Sequence, residues 1–109
     1  MTESADAPRL VLTTAPDLDT ARRLAQELVA ERLAACASLV PGVESVYRWN
    51  GAVESAREIL LVVKTTSGRI GDLERWLARA HPYEVPELVV LDPAHVGAAY
   101  ASWLAAETR

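Results

Sequence analysis

His81, Tyr83, Glu84 and Glu87 fall inside the seven-residue run His81-Pro82-Tyr83-Glu84-Val85-Pro86-Glu87. An imidazole beside carboxylates is a donor set for a borderline metal such as Cu(II) or Zn(II), and the same groups serve general acid–base chemistry. Two carboxylates divide acid and base roles only where their surroundings push their pKa values apart. His81 has a plainer reading as well, since cations and imidazoles are favoured where a helix ends. Pro82 and Pro86 drive the residues before them, His81 and Val85, out of the helical region. The polar groups therefore stand on a stiff extended segment, between a helix ending near Ala80 and the apolar run Leu88 to Leu91, which reads as a buried strand.

Five further residues are weighed beside this group. Lys64 ends a long apolar run, and strands leading to and from neighbouring loops would let it meet Glu87 across a sheet or between subunits, as an ion pair or as a ligand-contacting pair. Tyr47 and Trp49, with Tyr83, either line a cleft or anchor an interface. Cys36, the one cysteine, sits in an apolar stretch and reads as a core thiol. His95 reads as a surface residue with no ligand spaced near it. No phosphate-cradling glycine loop, zinc-spaced Cys or His pair or nucleophile elbow is present, so binding rather than enzymatic catalysis is expected.

The elements that must position these residues follow from local pattern. Arg9 to Thr14 reads as a strand between Pro8 and Pro16. Asp17 is placed to cap a helix whose apolar face, Ala21, Leu24, Ala25, Leu28, Val29 and Leu33, keeps the 3.6-residue period. Pro41-Gly42 implies a kink or bulge before Val43 to Trp49. Asn50-Gly51 between two strand-like runs is a hairpin signal, with the return strand running from Ala52 to Thr66 and its last apolar block expected to be buried on both faces. Ser67 is expected to cap a second helix, Glu87 to Leu91 forms a fourth strand, and Asp92-Pro93 opens a last helix.

This order, β-α-β-β-α-β plus a C-terminal helix, defines an α+β chain with a ferredoxin-like split βαβ fold: one antiparallel sheet, helices on one face and a long β-hairpin. A ribbon from Ala37 to Trp49 spans about 40 Å at ~3.3 Å per residue, against a radius of gyration near ~13 Å for a chain of this length. Its tip must project, and an exposed edge carrying Val46, Tyr47 and Trp49 calls for cover by another copy in a closed oligomer. Residues 1–8 are expected to form a disordered tail and residues 9–109 one domain. The net charge of -4, without a basic cluster, points away from nucleic acid and anionic membranes. A single cysteine and a small, polar start without a signal-like segment lead to an expected cytoplasmic location.

Thr13-Thr14-Ala15-Pro16-Asp17, Glu31-Arg32-Leu33-Ala34-Ala35-Cys36, Pro41-Gly42-Val43 leading to Val46-Tyr47-Arg48-Trp49, Lys64-Thr65 and the run from His81 to Glu87 together resemble the CutA divalent-cation tolerance family, over roughly residues 10 to 104. The resemblance implies a cytoplasmic ferredoxin-like homotrimer concerned with tolerance and homeostasis of copper and other divalent metal ions. It also implies direct copper binding by a first-strand cysteine and two adjacent histidines. Those positions are Thr13, Ala80 and His81 here, so His81 alone carries over as a metal ligand. The architecture is similar as well to trimeric PII signal proteins. That likeness implies an alternative function: sensing a small anionic metabolite in a cleft between subunits, with Tyr47, Trp49, Lys64, Tyr83, Glu84 and Glu87 as candidate contacts.

Overall fold

Asn50 and Gly51 adopt the positive φ values, 48° and 80°, that a two-residue primed turn requires, and they fold the longest strands of the molecule onto each other. A computed structural model describes residues 4–109. Its strands are β1 (Pro8–Ala15), β2 (Cys36–Trp49), β3 (Ala52–Thr66) and β4 (Val89–Leu91), and its helices are α1 (Leu18–Ala30), α2 (Ile70–Ala80) and α3 (Ala98–Glu107). The sheet is antiparallel throughout, in the order β2-β3-β1-β4. Between Val40 and Val43 the β2–β3 register shifts by a bulge at Pro41-Gly42, where Gly42 has φ 78°. The hairpin reaches past the core, giving overall dimensions of 44 × 29 × 24 Å and a radius of gyration of 14.6 Å.

The core lies between one sheet face and helices α1 and α2. Val11 and Ala15 of β1 and Ile59, Leu61 and Val63 of β3 meet Leu24 and Leu28 of α1 and Leu73, Trp76 and Leu77 of α2. Asp17 caps α1 as its position implies, its carboxylate accepting from the Thr20 amide at 2.7 Å.

Several local expectations give way to longer-range packing. Helix α1 stops at Ala30, because Arg32 turns into the left-handed region (φ 57°) and the Leu33 and Ala34 amides fold back to the Leu28 carbonyl. Leu33 is buried, but from outside the helix, and Val29, expected on the apolar face, is exposed at the edge of the packed stripe. Ser67 caps nothing. Its hydroxyl donates to the Ser4 carbonyl, a 3-10 turn over Ser67–Arg69 intervenes, and α2 starts at Ile70 without a side-chain cap. Gly68 is needed there, since a Cβ would stand 2.9 Å from the Ala5 Cβ. The last helix begins at Ala98 instead of Asp92-Pro93, which leaves His95 exposed in a loop.

The strand expected to be buried, β4, is an exposed edge of three residues, with Val89 45% and Leu91 41% accessible. The apolar end of β3 is likewise covered on one face only: Leu61 and Val63 are buried, while Leu60 and Val62 face the open side and are half-buried. Residues 1–3 of the expected tail lie outside the described residues. Ala5 and Ala7 accept from the Gly68 and Ser67 amides, and Pro8 already belongs to β1.

Candidate functional site

The residues between α2 and β4 are tied to the sheet by His81. Its ring is 6% exposed; the Tyr83 amide donates to Nδ1 at 3.0 Å, which leaves the proton on Nε2 to be donated to the Thr14 carbonyl, 2.6 Å away. Both nitrogens thus hold the corner, and a metal reaches either one only by displacing a hydrogen bond. The imidazole also packs against the Tyr83 ring, with centroids 4.7 Å apart at 49°.

Tyr83, positioned in this way, donates its hydroxyl to Glu58 at 2.7 Å. Glu58 lies on the ribbon of β3, opposite Val43 and next to the Ser45–Ala56 pair, and is only 9% exposed. Burial opposes the charged form of its carboxyl, but hydrogen bonds from Tyr83, Ser45 and Thr14 outweigh that opposition and hold it below its ordinary value. Burial, reinforced by the hydrogen bond to Glu58 and by its charge, pushes the Tyr83 phenol well above its usual range, and Tyr47 and Asp17 push the same way. No Lys or Arg pairs with Glu58 among the described residues. The result is an ionised, nearly buried carboxylate at the meeting point of β1, β2, β3 and the segment after α2.

Tyr47 and Trp49 alternate with Ser45 on the same face of the ribbon as Glu58 and are 41% and 42% exposed. Glu84 and Glu87 are exposed in the segment that carries Tyr83. Lys64 stands apart. It lies six residues along β3 from Glu58, about 20 Å at ~3.3 Å per residue, and its ammonium bonds to Ser38 Oγ and lies 3.8 Å from Cys36 Sγ. The expected meeting of Lys64 with Glu87 does not occur within one chain. Cys36 is half-buried beside that cation, on the face away from the main core.

Glu58 and Thr14 are the site residues that pattern reading passes over. Glu58 is the charged residue that opens the apolar block of β3, the only local hint that its environment is unusual. Thr13, at the position where the resemblance implies a cysteine, is 1% exposed and its Oγ1 has no hydrogen-bond partner. No three His, Cys, Asp or Glu side chains come together as metal ligands among the described residues. The described residues of one chain therefore bring together no soft donor set of the kind that favours copper.

Comparison with known proteins agrees with this geometry. Residues 9–107 match the family model described as CutA1 divalent ion tolerance protein. The divalent-cation tolerance protein CutA of Escherichia coli is 46% identical over 100 residues, covering 92% of this chain and 89% of that protein. The Thermus thermophilus divalent cation tolerance protein superposes with a TM-score of 0.91 at 44% identity, over 94% of this chain and 99% of its own. CutA from Xylella fastidiosa gives a TM-score of 0.92 at 35% identity, with the same coverage. With the family pattern spanning nearly every described element, the strand order matched and the His81–Tyr83 corner inside the matched region, the chain belongs to the CutA1 divalent ion tolerance family.

Proposed function

We propose that this chain serves divalent-metal tolerance in the cytoplasm by binding Cu(II) or Zn(II) as a homotrimer, without catalysing a reaction. The observation that supports this most directly is Glu58: a buried carboxylate kept ionised by three hydroxyls, with no cationic side chain paired to it among the described residues. A fixed, ionised and nearly buried carboxylate is a ready oxygen ligand for a cation, and perturbed carboxylates of this kind mark functional sites. The metal is cargo. Glu58 offers the fixed oxygen donor, and Tyr83 aims it, itself held by His81. Glu84 and Glu87 are further carboxylates that copies of the chain bring to one another.

At a given donor site Cu(II) has the advantage in affinity over Zn(II). Calorimetric titration of the tag-free protein with each metal tests this reading, beside Glu58→Gln and His81→Ala. Stoichiometric binding that weakens about tenfold or more in Glu58→Gln is expected. Unchanged binding in that variant overturns the role of Glu58, a loss confined to His81→Ala assigns the metal to the imidazole instead, and no binding by the unaltered protein overturns the function.

A further inference from the structure

One side of α1 borders the sheet edge instead of the core centre. Arg22, Ala25, Gln26, Val29 and Ala30 keep the i, i+3, i+4, i+7, i+8 spacing of a single helix side. They face Ala37 and Leu39 of β2, which is an edge strand, across an open trough of about 530 Å³, a volume in the range of ligand-binding clefts. Ala37 and Leu39 also pack against the core, so that wall is fixed, and alanines on both walls give the trough its depth. Val29 is left 41% exposed at its rim. From Arg22 to Ala30 the α1 wall runs about 12 Å at ~1.5 Å per residue. Arg22 heads this aliphatic wall without a partner: Arg23 donates to the Ala80 carbonyl at 3.1 Å and lies 3.5 Å from Glu27, and Arg32 lies 3.6 Å from Glu107, but among the described residues no carboxylate comes within ion-pair distance of Arg22. The Gln26 amide, one helical turn further on, adds a neutral donor.

We propose that this trough binds a free medium-chain fatty acid, with its carboxylate on Arg22 and Gln26 and its alkyl chain along Ala25, Val29, Ala37 and Leu39. The shape and lining select this class of ligand. The walls are aliphatic and the trough is long, so a flexible alkyl chain fills it and gains with each methylene removed from water. One unpaired guanidinium suits one carboxylate, which accepts two parallel hydrogen bonds from it. The fatty acid is taken up free and not from an anionic bilayer, because the chain carries a net charge of -4 and Glu27 and Glu31 flank the same helix. The trough lies on the helix side of the sheet. The uncovered sheet face, the hairpin and α3 remain for contact between copies, and self-association through them leaves the trough open. The site is separate from the Glu58 carboxylate and takes a ligand opposite in charge to a metal cation.

The experiment titrates the assembled, tag-free protein with octanoate, hexanoate, octanamide and octylammonium, each below its micelle-forming concentration. Two readouts run together: the heat of binding and the methyl NMR signals of Ala25, Val29, Ala37 and Leu39. Octanoate is expected to bind saturably and to shift those signals, with hexanoate about tenfold weaker for the loss of two methylenes. Octanamide and octylammonium should be weaker by about tenfold or more. Arg22→Gln should lose about tenfold in octanoate affinity and Arg22→Lys keep most of it. Ala30→Leu, at an exposed helix position, should fill the trough and block binding while the fold is retained. Should a variant fail to fold, the ranking of the four probes on the unaltered protein decides alone. Binding that does not saturate, equal binding of octanoate and octylammonium, or unchanged affinity in a folded Arg22→Gln overturns the proposal. Octanoate that leaves the trough methyls unshifted, together with looser self-association of Ala30→Leu in sedimentation, also overturns it and assigns the trough to a second copy.

Discussion

Glu58 shows how one residue takes its chemistry from partners far away in sequence. Alone it is an ordinary glutamate at the end of a charged ribbon. Thr14, Ser45 and Tyr83 reach it from three other parts of the chain and turn it into a buried, ionised group. Because its folded pKa lies below the unfolded value, the stability it contributes is fully present above the ordinary carboxylate range and is lost as pH falls through the folded value. Unfolding free energies of the unaltered protein and of Glu58→Gln should therefore differ most above the ordinary carboxylate range and converge as pH falls below it. A difference that grows on acidification would mean that the carboxyl is held protonated instead. Neither the pairing of Glu58 with Tyr83 nor the separation of Lys64 from Glu87 was legible in the sequence, since each depends on which strand positions face each other. The cluster around His81, by contrast, was visible from residue types alone, although the commitment of both its nitrogens was not.

At the scale of single elements, local pattern succeeds where the interactions are local. The Asp17 cap, the apolar period of α1, the Pro41-Gly42 bulge and the Asn50-Gly51 turn all depend on backbone preferences within a few residues. The end of α1 is different: it is closed by Arg32 in a left-handed conformation that glycine would adopt without strain. The Arg32 side chain returns a half-exposed ion pair with the Glu107 carboxylate at 3.6 Å and a hydrogen bond to the Glu107 carbonyl at 3.4 Å, both at the surface, while the Arg32 carbonyl that accepts from Arg69 is kept in any variant. Arg32→Gly is therefore expected to raise stability by about 0.5–1 kcal/mol, read from the urea midpoint at constant slope. A lowered midpoint would show that the contacts of the arginine outweigh the strain. The start of α2 escaped pattern reading because Ser67 spends its hydroxyl on Ser4, a partner more than sixty residues away.

For the whole molecule, the decisive feature is apolar surface that one copy leaves uncovered. Val40, Val89, Leu91, Tyr100 and Trp103 are exposed on the sheet and on α3, and Val46, Tyr47, Trp49 and Val53 on the projecting hairpin. A surface of this kind on a well-packed chain marks an interface. Sedimentation equilibrium at micromolar concentration should give three times the chain mass, and Val89→Glu with Leu91→Glu should shift it towards one chain while the helical circular dichroism is retained. A monomer in the unaltered protein rejects the homotrimer. The sequence by itself determined the order of elements, the hairpin and the α+β class, because turns, caps and periodicity act over a few residues. Only the tertiary structure decided which face of β3 is covered, that β4 is an exposed edge, that His81 is a fastening and that Glu58 is the buried charge. Those outcomes follow from strand register and layer packing, which bring residues together without regard to their distance along the chain.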